Sequence, residues 1–187
     1  MKKTFALAGL MTMMLAFSGL CLAQAKDAPK TVTSILDGGI KSVEGEFVPA
    51  AEAMPEGKYD FAPTTGEFKG VRTFGQQVKH VAAVNYMVAA AILGEKSPVE
   101  LGGENGPDSM KSKAEIVKFI KDSYAYAHKA AATITAENAT GEVQLPFGKF
   151  TRMGLGMLLT AHSFDHYGQM VVYLRMNGIV PPASRGQ

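Results

Sequence analysis

The stretch Met153–Asn177 constrains the fold of this 187-residue chain more than any other. Laid on a helix at about 100° per residue, Leu155, Leu158, Leu159, His162, His166, Gln169, Tyr173 and Met176 all fall within roughly 60° of the His162 direction. A stripe of that length has to lie against other helices. Its expected dry face nevertheless carries two imidazoles and an amide, and burying such groups without partners costs about 1–3 kcal/mol each. Two arrangements relieve that cost. Either a cation sits between the imidazoles, or the rings are core histidines bonded to carbonyls or to a shared water.

Three further segments share the helical period. Over Thr31–Met54 the residues Val32, Leu36, Ile40, Val43, Phe47 and Met54 recur on one side, with a kink expected between Gly45 and Pro49. Pro55–Val71 has the composition of a linker and could extend at most about 55–60 Å, enough to cross a bundle from end to end. Thr73 and Gln76 form a capping-box pattern that opens a second helix ending at Gly94, with Val81, Val84, Met87, Val88, Ala91 and His80 on one side. After an irregular Gly94–Met110 segment, a third helix is predicted from about Ser112 to Ile134, with Ile116, Ile120, Tyr124, Ala127 and Ala131 inward. The fourth begins near Thr151 and stops at Asn177-Gly178, ahead of Pro181-Pro182. No segment shows a convincing strand alternation, although Val143–Leu145 suits a short extended piece. The expectation is an all-α four-helix bundle with long inter-helix connections.

Residues 1–25 have the pattern of an export signal: Lys2 and Lys3, an apolar run from Phe5 to Leu22, and the small-x-small site Ala23-Gln24-Ala25. Cleavage is expected after Ala25, giving a periplasmic or secreted protein of one domain, residues 26–187, with no membrane span. Cys21, the single cysteine, would leave with the signal, so disulfides and thiolate ligands are excluded from the mature chain. Losing Lys2 and Lys3 leaves 17 Lys+Arg against 17 Asp+Glu, without the basic footprint of a nucleic-acid binder. A small-molecule substrate is the expected partner. Homodimerisation through exposed helix faces is compatible with the sequence, but no apolar seam argues for it.

His162 and His166, four apart, stack on one helical face and could share one ion. Ser163 follows His162, so this is not the His-Glu-x-x-His protease pattern. His80, inward on the second helix beside Gln76 and Gln77, would complete a three-ligand site with an open position. His128, next to a lysine-bearing face, is expected to be mostly exposed and not a ligand. Gln169, Tyr173, Asp165 and Gln76 are the candidates to support the site or face a substrate. Met87, Met153, Met157, Met170 and Met176 are expected to be gap-fillers in the core. Imidazole ligands suit zinc, nickel or iron alike. The expected chemistry is that of a metal-dependent hydrolase or transferase, with Asp165, Glu104 or Asp108 as acid/base candidates. The alternative is a non-catalytic metal- or ligand-binding module of the cell envelope.

Two blocks of sequence carry a family resemblance. They are Thr73–Val81, which includes His80, and His162-Ser163-Phe164-Asp165-His166-Tyr167-Gly168-Gln169 with Tyr173–Pro182 behind it. Met54–Pro63 adds a matching connector. On these residues the chain resembles the DinB/YfiT-like family of metal-dependent four-helix proteins. The resemblance implies a metal triad of His80, His162 and His166, and a bundle joined by a long crossover. Some relatives are thiol-dependent transferases or isomerases of the cytosol, a setting from which an export signal departs.

Overall fold

A computed structural model describes residues 29–186; the expected export signal and its expected cleavage after Ala25 fall outside the described residues. Four helices form the bundle: α1 (Val32–Ala53), α2 (Phe74–Leu93), α3 (Lys113–Ala131) and α4 (Arg152–Met176). Three of them open on reciprocal capping boxes, Thr31/Ser34, Thr73/Gln76 and Ser112/Glu115, so the starting points are written into local side-chain chemistry. Gly94, left-handed at φ 71°, closes α2. α1 runs as one continuous helix that includes Gly45 and Pro49. The third helix stops earlier than Ile134, because the Thr133 hydroxyl bonds back to the Ala130 carbonyl and the chain tightens into a turn.

Each helix packs mainly on two neighbours. α1 lies against α3 and α4, and α2 lies against the same two, so α1 and α2 face each other across a diagonal. The linker after α1 therefore crosses the bundle instead of making a simple turn. Gly156 sets the spacing of α1 against α4: a Cβ there would lie 2.8 Å from Leu36 and 3.1 Å from Ile134. The core is one cluster around Ile40, Phe47, Phe74, Tyr124, Leu155 and Leu174.

The α3–α4 connection adds one small sheet to the all-α bundle, and it includes the extended piece expected over Val143–Leu145. β1 (Glu142–Leu145) and β2 (Gly148–Thr151) pair antiparallel, Val143 opposite Phe150, around a two-residue turn. Strands of four residues are too short for their alternation to stand out in a sequence. The other long connection, Gly94 to Ser112, is fastened to the outside of α2. Gly106 at φ 73° approaches so closely that a Cβ would lie 2.6 Å from Lys79, and the buried Lys79 ammonium donates to the Pro107 carbonyl at 2.8 Å. Burial lowers the Lys79 pKa.

Three expectations about side-chain placement are corrected as well. The buried residues of α4, among them Leu155, Leu159, Ser163, Met170 and Leu174, centre about 70° away from the His162 direction at 100° per residue. His162 therefore sits at the rim of the core and not on its axis. Met153, Met157 and Met176 are exposed instead of filling gaps; Met170 is fully buried. His128 is held between two carboxylates on α1 and is only partly exposed, because the faces of α3 and α1 meet there.

Candidate metal centre

α2 and α4 run antiparallel with Gln77 opposite His166 and Gln169, and His80 opposite His162. This register brings His80, His162 and His166 together. Their ring centroids lie 5.0, 4.8 and 4.6 Å apart, nearly an equilateral triangle, and one nitrogen from each lies within 4.8 Å of the others. The three could hold a metal ion.

Two of the rings have their tautomer set from outside the triangle. His80 donates its Nδ1–H to the Glu104 carbonyl at 2.6 Å, across to the fastened loop. His166 donates its Nδ1–H to Gln77 Oε1 at 2.5 Å. Gln77 Nε2 in turn donates to Gln169 Oε1 at 2.8 Å, and Gln169 Nε2 donates to Asp165 Oδ2 at 3.3 Å. The amides thus form a chain of fixed polarity that ends on an exposed carboxylate, and Nε2 of both His80 and His166 is left as a lone pair. Second partners of this kind are what orient metal-binding imidazoles.

The donor set fits a cation on a further observation. His80 Nε2 lies 3.2 Å from His162 Nε2, and His162 Nδ1 is buried with no hydrogen-bond partner among the described residues. If His162 carries its proton on Nδ1, two lone pairs face one another. If it carries the proton on Nε2, a buried acceptor is stranded at a cost of about 1–3 kcal/mol. An ion between the rings removes the lone-pair conflict, and two nitrogens at tetrahedral angles about 2.0–2.1 Å from one ion lie about 3.3 Å apart. All three rings favour the neutral, ligating form. Burial, reinforced by the neighbouring imidazoles, lowers the His162 pKa to about 4 and the His166 pKa to about 3. His80 is lowered too, chiefly by burial, with the Glu104 carbonyl opposing.

Of the supporting residues expected from sequence, none bonds directly to a ring. Gln76 closes the α2 capping box, Tyr173 donates its hydroxyl to the Arg72 carbonyl at 3.0 Å, and Gln169 and Asp165 stand one and two links behind Gln77. Sequence reasoning missed two contributors. Gln77 was visible beside His80, but only the α2–α4 register shows that it serves His166. Arg72 lies just before the helix cap, its Nη2 bound to the Glu104 carboxylate at 3.0 Å and its Nε buried without a partner among the described residues. Next to His80, a cavity of about 290 Å³ lies between α2 and the loop, walled by Ala83, Val84, Met87, Leu101 and Glu104.

Fold and site together define a class, a crossed four-helix bundle with three convergent histidines between its second and fourth helices. The DinB superfamily model matches residues 40–170, and the chain belongs to that family. It is similar to a solved DinB-like protein from Bacillus cereus at TM-score 0.64 and 18% identity, covering 81% of this chain and 96% of that one. A DinB-like protein from Bacillus subtilis aligns at TM-score 0.60 and 19% identity, covering 77% and 92%. At these identities the likeness concerns the fold. A comparison with curated proteins found no match.

Proposed function

We propose that this chain is an exported DinB-like protein that binds one divalent transition metal through His80, His162 and His166 and acts on a small molecule as a hydrolase or transferase. The observation that carries this is the inward convergence of three neutral imidazoles, two of them with Nδ1 already committed to carbonyl oxygens. When bound, such an ion supplies Lewis-acid chemistry at a position the three protein ligands leave open. The chain contributes the rest. Glu104 and Gln77 hold the protons on the far side of their rings, Lys79 fastens the loop that carries Glu104 by donating to the Pro107 carbonyl, and Arg72 adds positive charge beside the site.

The test is elemental analysis of protein purified from metal-replete medium beside the His162→Ala variant. One zinc, nickel or iron per chain in the parent and none in the variant is expected; no metal in either overturns the proposal. Export is tested separately by N-terminal sequencing of the extracytoplasmic protein, which should begin at Lys26.

A second reading, a non-catalytic metal- or ligand-binding module of the cell envelope, is favoured by one observation. Two of the carboxylates expected to serve as acid/base groups are committed elsewhere, Glu104 to Arg72 and Asp165 to Gln169. Cobalt-loaded protein separates the two. A visible spectrum that shifts on adding azide marks an exchangeable position suited to catalysis, and an unchanged spectrum marks a closed shell.

A further inference from the structure

Three neutral imidazoles bring no negative charge to a dication, so its charge is left for the remaining ligand to offset. The surroundings add to the imbalance. Arg72 stands close enough for its positive charge to act on His80, His162 and His166 alike, and its Nε is buried with no hydrogen-bond partner among the described residues. The Glu104 carboxylate that pairs with Arg72 is 86% exposed, so water screens much of its compensation. The Asp165 carboxylate is also exposed and accepts from Gln169, two hydrogen bonds removed from the nearest ring. An anion is therefore the favoured occupant of the open position.

The cavity that His80 lines on the loop side of α2 has a wall of the opposite character. Ala83, Val84 and Met87 follow His80 along one face of α2, and Leu101 closes that face from the loop. This stripe is apolar, and Val84 and Met87 within it are only partly buried. The cavity of about 290 Å³ is roughly twice the 150 Å³ or so that holds a benzene ring. It can take an aromatic ring or a short alkyl chain, and it is small for a nucleotide or a peptide.

Building on the metal centre proposed above, we propose that the site takes a small organic carboxylate, with its anionic end at the three histidines and its apolar body in the cavity between Val84, Met87 and Leu101. The histidines and Arg72 recognise the charge, and the α2–loop cavity selects the body. A short, apolar body best matches the size of the cavity and its Val84–Met87–Leu101 wall.

Calorimetry with zinc, benzoate and benzamide tests this. Zinc is titrated first into the parent and into Val84→Phe, whose added ring fills the cavity. Failure of the parent to bind zinc overturns the metal centre itself. With zinc loaded, benzoate should bind at least about tenfold more tightly than benzamide, the neutral molecule of the same shape. Val84→Phe should weaken benzoate at least about tenfold while zinc affinity stays within about twofold. Arg72→Met should weaken benzoate by about three- to tenfold and leave benzamide unchanged. Equal affinities for benzoate and benzamide, or benzoate binding indifferent to Val84→Phe, would overturn the carboxylate assignment with the metal centre intact.

Discussion

Two histidine sites in this bundle use the same side chain in opposite ways. At the α2–α4 seam, His80, His162 and His166 meet one another, and the partners of His80 and His166 are carbonyl oxygens. At the α1–α3 seam, His128 stands between carboxylates, Nδ1 2.6 Å from Asp37 and Nε2 3.1 Å from Glu44. Burial pushes every one of these rings toward neutrality. In the first site the neighbouring imidazoles reinforce that push, whereas in the second the hydrogen bonds to two carboxylates outweigh it and raise the His128 pKa. A neutral ring offers a lone pair to a metal; a protonated one offers two N–H donors to a pair of acids. The contrast teaches that partner chemistry, and not burial alone, separates a ligand histidine from a structural one.

The strongest way to break the comparison is to remove one ring from each site. His162→Ala should abolish stoichiometric metal binding, while His128→Gln should leave it within about twofold, because no nitrogen of His128 points at the triad; metal titration reads both. Next in size, Gln77→Leu deprives His166 of the acceptor that sets its tautomer. It should weaken metal affinity by about 10–100-fold with the three ligands intact, and an unchanged affinity would show that Gln77 only packs.

The pH dependence carries opposite signs at the two sites. For the metal-free protein, the unfolded chain takes up protons below about 6.5, while folded His162 and His166 resist to about 4 and about 3. Stability from these rings is present above about pH 6.5 and lost as pH falls through their folded values, and thermal melts from pH 7.5 to about 4 should show a steady decline. His128, with its folded pKa raised, stabilises fully below about pH 6.5 and loses that contribution as pH rises through the folded value. The smallest effect follows from this sign. His128→Gln should cost about 1 kcal/mol or less near pH 5.5 and still less near pH 9, as its partners are half exposed.

Much of the fold was legible because it is written locally. Thr73 with Gln76, Ser112, Thr151 and Gly94 mark helix ends through contacts made within three or four residues, and those boundaries coincide with the observed ones. The apolar residues of α1 show the same legibility, with Leu36, Ile40, Val43 and Phe47 all buried. What stayed hidden depends on how one element lies against another. Thr133 ends α3 early through its own hydroxyl, and the extended piece at Val143–Leu145 gives no sign of its pairing with β2.

The candidate site divides along the same line. The sequence alone placed His162 and His166 on one helical face and singled out His80, since i and i+4 spacing and an inward polar residue are properties of single helices. Only the tertiary structure decided that the rings converge, that His162 stands at the rim, that Gln77 on α2 serves His166 on α4, and that His128 belongs to two acids on α1. The physical reason is range. Capping and helical periodicity act over three or four residues, whereas the partner of a side chain 80 or 90 residues away is set by the register of packed helices, to which every core residue contributes.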